Sequence, residues 1–291
     1  TNMQSMFYEA SRFNQPLERW NVGNVTTMQE MFSYASRFNQ PLEQWNVGNV
    51  TNMLHMFYYA RAFNGPLNGW ERTDSTLGNV TNMEAMFMNA IAFNQPLEQW
   101  NVSNVTDMRS MFVGATAFNQ PLQQWNVGKV TNMRHMFYRA SAFNQPLANW
   151  EREDSTVGSV TTMRDMFNGA SAFNQPLEQW NVGNVTNMDG MFRNATAILQ
   201  RYPNADNDPR SVFTSAQTNT SNSIAFNNET IRTAVDLWIR NRDQAISQYG
   251  DINTWNVSQV TDMNELFRNR STFNDDISNW DVGNVTTMQE M

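Results

Sequence analysis

The sequence predicts an α/β solenoid, a stack of 25-residue helix-turn-strand modules with 30-residue variants at every third module. Three observations predict it. A long string recurs in register along the chain, its apolar positions follow a helical spacing and then an extended one, and no single copy can bury its own apolar face. The 291 residues include 20 Met, 19 Phe and 10 Trp, enough large side chains for a core without staples.

The repeat is plainest in residues 20–44, WNVGNVTTMQEMFSYASRFNQPLEQ, and 100–124, WNVSNVTDMRSMFVGATAFNQPLQQ. The Met of the Met-Phe pair falls at 6, 31, 56, 86, 111, 136, 166 and 191, so steps of 25, 25 and 30 make an 80-residue block. Both 30-residue steps follow a Trp-Glu-Arg variant, at Trp70 and Trp150, and the two inserts are expected to project from one face. His55 and His135 are also 80 apart, two copies of one position and a poor sign of catalysis.

Within a module, Met28, Met31, Phe32, Ala35 and Phe38 have the spacing of an apolar helix face. Thr26 precedes them as an expected N-cap, with Gln29 completing a capping box that recurs as Thr1 with Gln4 and Thr81 with Glu84. Asn39, Gln40 and Pro41 end the expected helix, and Trp45, Val47 and Val50 suit a short buried strand. The Asn of each Phe-Asn pair, from Asn14 to Asn174, reads as an internal ladder satisfying backbone groups at the turn.

The string WNVxNVTxMxxMFxxAxxFNQPL resembles the BspA-like surface-protein repeat, a module related to leucine-rich repeats. The resemblance covers residue 1 to about 197 and resumes near 251. It implies a leucine-rich-repeat-like stack, extracellular or cell-surface display, and adhesion or interaction rather than catalysis. It assigns no catalytic positions.

Four segments are expected: a repeat array over 1–198, a linker or irregular excursion over 199–228, a helical cap over 229–250, and a new array over 251–291. Ile231, Ala234, Val235 and Trp238 give the third segment one apolar helical face. Helices of this kind precede the first module in the resembled family, which implies an N-terminal cap for the array that follows. Residues 280–291 repeat residues 20–31 with one change, Asn21 to Asp281, which suggests tandem units of about 260 residues.

A formal net charge of −8 excludes a basic nucleic-acid footprint and a polybasic membrane anchor. The absence of cysteine excludes disulfides, thiolate metal sites and a Cys nucleophile. No nucleophile triad, phosphate loop or His-Glu-x-x-His motif is legible, so no enzyme and no cofactor are expected. Asn204, Asp206 and Asp208 have the 1, 3, 5 spacing of a calcium loop, but the sixth position lacks Gly and the twelfth is Ser215, which favours an ordinary polar loop. Asn-Val-Thr recurs as a formal glycosylation sequon whose Asn and Thr are expected to turn the chain and cap the helix, and Asn219 and Asn228, outside the modules, are the better acceptors if the source is eukaryotic.

Tyr8, Tyr34, Tyr58, Tyr59 and Tyr138 fall on the outward side of the expected helices and, with Trp238, form the expected partner or assembly surface. Lateral packing between neighbouring coils is the alternative for the tyrosines. Two functions follow from this reading. One is a non-catalytic extracellular structural or adhesive protein whose copies join end to end into a fibre or layer. The other is a cell-surface binding module whose side face captures a protein or glycan.

Overall fold

A computed structural model describes residues 1–213, 225–249, 252–271 and 273–290. Its contacts divide the chain into two compact units, Thr1–Thr214 and Ser215–Met291.

The helix-turn-strand module is overturned. Among the described residues there is no regular strand, only isolated bridges: parallel ones that run Asn2, Thr27, Asn52, Asn82, Asp107, Asn132, Thr162, Asn187 and join Asp262 to Thr287, and antiparallel ones within the inserts, Arg72 to Ser75 and Arg152 to Ser155. No module contains an α-helix. The backbone amides show why. The N–H groups of Met28, Glu30, Phe32 and Tyr34 donate to the carbonyls of Asn52, Leu54, Met56 and Tyr58 in the next module, at 2.7–3.0 Å. The N–H groups of Met31, Ser33 and Ala35 close tight turns onto Met28, Glu30 and Phe32 at 3.0–3.1 Å. An α-helix capped at Thr26 would have spent all of these donors but that of Met28 inside itself.

Two left-handed residues per module make this path possible, for example Glu30 (φ 55°) with Tyr34 (φ 58°) and His55 (φ 57°) with Tyr59 (φ 55°). Met28, Met31, Phe32, Ala35 and Phe38 still all point inward and are fully buried. Trp45, Val47 and Val50 line the interior from the other side of the module, also fully buried, in turns rather than a strand.

Successive copies superpose like rungs. Two phenylalanine columns run through the first unit, with centroids 5.4–5.9 Å apart from Phe7 to Phe192 and 5.9–6.0 Å apart from Phe13 to Phe173. Each buried indole N–H from Trp45 to Trp180 donates to the Leu carbonyl of the preceding module, Leu17 to Leu147, at 2.9–3.5 Å. The asparagine ladder is present: Oδ1 of each Asn from Asn14 to Asn144 accepts the N–H of its copy in the next module at 2.7–2.9 Å. It lies at the surface at Asn14 and Asn39 rather than buried.

The expected threonine N-cap is also overturned. Hydroxyls from Thr26 to Thr186 donate to the carbonyl of the preceding Thr at 3.1–3.3 Å, forming a third ladder. The inserts fold back rather than project. Arg72 donates to the carbonyls of Glu43, Gln44, Trp45 and Gly69, and Arg152 repeats the clasp on Gln123, Gln124, Trp125 and Asn149.

The excursion expected from residue 199 begins as packed structure. Helix α1 (Thr196–Arg201) buries Ile198, and Ala205, Val212 and Phe213 complete the same core, with Phe213 stacked 6.4 Å from Trp180.

In the second unit, Asn227 Oδ1 accepts the N–H groups of Glu229 and Thr230 at 3.0 and 2.9 Å and so starts α2 (Thr230–Arg240). Its buried residues are Ile231, Ala234, Val235 and Trp238, the face that the periodicity predicts. They share a core with Trp255, Val257, Val260 and Met263. Helix α3 (Arg242–Tyr249) packs on α2. The module geometry then returns: Met263 and Glu265 donate to Thr287 and Gln289 at 2.9 and 2.8 Å, and Trp280 Nε1 donates to Ile252 at 2.7 Å.

Candidate functional site

Since the inward positions are nearly identical from copy to copy, the outward positions of the turn segment carry what distinguishes one module from another. Near the start of the first unit this face is aromatic. Tyr34 meets Tyr8 edge-on at 5.9 Å, Tyr58 edge-on at 5.3 Å and Tyr59 in a stack at 5.1 Å. Tyr58 lies 4.7 Å from Tyr59 and 4.8 Å from the His55 ring. Four of the tyrosines expected at a contact surface therefore form one cluster. They pack laterally on one another, while Tyr8 and Tyr34 remain 44% and 37% exposed. Burial, then a hydrogen bond with Tyr34, pushes the Tyr58 hydroxyl up to about 12, so it stays protonated at neutral pH.

Tyr138 stands apart from this cluster, 5.5 Å from His135 and beneath Arg139, whose guanidinium carbon is 5.1 Å from the ring. Trp238 is not a surface residue. It is 4% exposed in the core of the second unit, edge-on to Trp255, with its N–H donated to Asp275 at 3.0 Å. The sequence marks it only as apolar, and the helix turns that face inward.

The two histidines acquire different partners. His55 faces Glu30 at 4.0 Å, whereas His135 Nε2 lies 3.3 Å from Asp165 Oδ2. Asp165 also accepts from Asn168 Nδ2 at 2.8 Å and from Arg164 Nε at 3.3 Å. Burial alone would raise the Asp165 carboxyl, but the bonds from Asn168 and His135 outweigh it and hold the group below its ordinary value. Burial, then the Arg134 charge, lowers His135 and favours its neutral form. This buried polar cluster lies one module step below Gly190, where a Cβ would stand 2.5 Å from Asp165 Oδ1. Sequence reasoning missed the cluster, because Asp165 and Asn168 are outward positions at which the copies differ.

Asn204, Asp206 and Asp208 are exposed, and the Asn204 carbonyl accepts the N–H groups of Asn207 and Asp208 within a turn. Among the described residues no three His, Asp or Glu side chains converge to hold a metal. Asn219 lies outside the described residues. The Asn228 side chain accepts from the N–H groups of Thr261 and Asp262 at 2.8 and 3.1 Å and donates to the Thr261 hydroxyl, so its amide is already engaged. Sequon amides in the modules are engaged too: Asn49, Asn79, Asn104 and Asn184 donate to a glycine carbonyl of the preceding module. An open cleft of about 500 Å³ lies beside the second insert, walled by Asn101, Gln124, Asn126 and Arg152. The Arg152 guanidinium is committed to the clasp described above.

The profile of the DUF285 family, described as "Mycoplasma protein of unknown function", matches residues 1–78, 73–158, 153–233 and 238–291. The chain belongs to the DUF285 family. Its first three matched stretches meet at 73–78 and 153–158, within the two inserts, so the family unit coincides with the 80-residue block. No curated protein and no solved structure gave a match. None of the helices among the described residues is long and apolar enough to cross a membrane.

Proposed function

We propose that this chain is a non-catalytic structural or adhesive repeat protein displayed at a cell surface, whose stacks join end to end with other copies. The supporting observation is the polarity of the module. The turn segment of each module donates N–H groups toward its successor, while its Thr amide and Trp indole donate back to its predecessor, and the bridges between modules are parallel, so every junction is head to tail and the same pairing can join separate stacks. Surface display rests on the resemblance of the repeat string to BspA-like surface proteins. Sedimentation velocity and negative-stain microscopy of the 291-residue chain across a concentration series test the assembly. Species that lengthen with concentration are expected. A single monomeric species at the highest concentration reached would refute it.

A second reading, capture of a protein or glycan by the side face, is favoured by the tyrosine cluster. Its rings form one patch and leave two of their members open to solvent.

A further inference from the structure

Further along the first unit the same outward face becomes basic. The backbone bonds Ala85 to Arg109, Ser110 to Arg134 and His135 to Arg164, at 2.8–2.9 Å, place three arginines in one column on consecutive modules. The corresponding positions earlier in the stack hold Gln4, Gln29, Leu54 and Glu84. Like charges on adjacent rungs repel, and the outer two of the three are compensated. Arg109 pairs with Glu84 at 2.6 Å and Asp107 at 3.4 Å, and Arg164 with Asp165 at 3.3 Å. Arg134, between them, has no carboxylate partner among the described residues, and neither Arg139 nor Arg193 has one. Arg139 lies across Gly169, where a Cβ would stand 3.1 Å from its Cγ, and the Gly169 N–H donates to the Arg193 carbonyl on the next module. Three exposed guanidiniums without a direct ion pair among the described residues thus stand on modules within two steps of one another in a chain whose net charge is −8, with the Asp165 carboxylate near Arg193, since a Cβ at Gly190 would lie 2.5 Å from Asp165 Oδ1 and 3.4 Å from Arg193 Cζ.

We infer that this face, through Arg134, Arg139 and Arg193, binds an anionic polysaccharide that carries sulfate or phosphate groups. Guanidinium forks match the oxygens of both groups. The rungs rise by about 4.8 Å per module, as in any parallel ladder. That step is close to the length of one hexose in an extended chain, and since Arg134 and Arg139 share one module while Arg193 lies two modules on, a polymer with charges about two hexoses apart can meet both modules. Single-stranded nucleic acid fits less well, because it needs open aromatic faces for base stacking and the Tyr138 ring is already covered by Arg139. The inference rests on the side-face reading and is independent of end-to-end assembly.

The test is titration calorimetry on the whole chain at low and raised salt. The probes are a heparin-derived octasaccharide for sulfate, a phosphomannan for phosphate, neutral dextran and an oligothymidylate. Salt-sensitive binding of either anionic polysaccharide is expected. The octasaccharide arm and the phosphomannan arm show which group is taken. The triple variant Arg134→Gln, Arg139→Gln, Arg193→Gln should weaken it by roughly tenfold or more, with melting little changed because all three residues are exposed and only Arg139 loses a ring contact, that with Tyr138. Replacing the same three with Lys, which keeps the charge and removes the forks, should fall between. The variant Tyr58→Ser with Tyr59→Ser should leave this binding intact, so loss of partner capture through the tyrosines and loss of polysaccharide binding through the arginines are separate outcomes. Absence of binding to both anionic probes, equal binding of dextran, preference for the oligothymidylate, or full binding by the triple glutamine variant would each overturn the inference.

Discussion

At the scale of single residues, the fold is held by side chains that answer the needs of a neighbouring copy rather than their own. Trp70 illustrates this: its ring fills the interior while its N–H closes on the Leu42 carbonyl at 2.9 Å. Replacing Trp70 with Phe leaves that carbonyl without its partner and opens a void, so a loss of about 2–4 kcal/mol is expected. Trp20 is the control, since it is 37% exposed, and its change to Phe should cost less than about 0.5 kcal/mol. Thermal denaturation of the two variants checks the contrast. The asparagine ladder was legible because an Asn at every turn needs a partner and its own copy is the nearest one. The Asp165 cluster was not, because Arg164, Asp165 and Asn168 replace other residues at outward positions where the copies differ, and only the register adds His135 from the preceding module.

Among local elements, the expected helix became a run of alternating turns. Spacing at i, i+3, i+4 and i+7 reports which side chains face inward, and it does so for a helix and for this turn path alike. A left-handed residue would have marked the turns had it been glycine, but nine of the nineteen such positions among the described residues hold Glu, Tyr, His or Arg, and the usual signs are a minority, Gly114, Gly169 and Gly190 with Asn89, Asn194 and Asn269. A prediction follows for Ser110, which sits at φ 59°. In a helix, Ser110→Gly would cost about 0.5–1 kcal/mol. Here relief of the left-handed strain, about 1–2 kcal/mol, offsets the added chain entropy, so the variant should melt at or above the parent temperature. A lower melting temperature would restore the helical reading.

For the whole molecule, stability accrues junction by junction, since each module bonds only to its neighbours. Excising residues 101–125 joins Trp100 to Asn126 and keeps every register, and it brings the carbonyls of Glu98, Gln99 and Trp100 to the Arg152 clasp in place of those of Gln123, Gln124 and Trp125. The shortened chain should fold cooperatively and melt only a few degrees lower. Excising residues 114–125, half a module, puts the turn segment against the Trp segment and should abolish the cooperative transition. Calorimetry of the two deletions distinguishes a register-bound stack from a tolerant one.

The amino-acid sequence by itself determined the period, the 80-residue block, the inward set of Met, Phe and Trp, and the helix α2 with its buried face. These follow from covalent spacing and from the hydrophobic effect, which act on one chain segment at a time. Only the tertiary structure decided the backbone path within a module, the clasp of the inserts and the make-up of the outer face. A backbone amide can close a turn or cross to the next copy, and which it does depends on a neighbour whose approach no single module encodes.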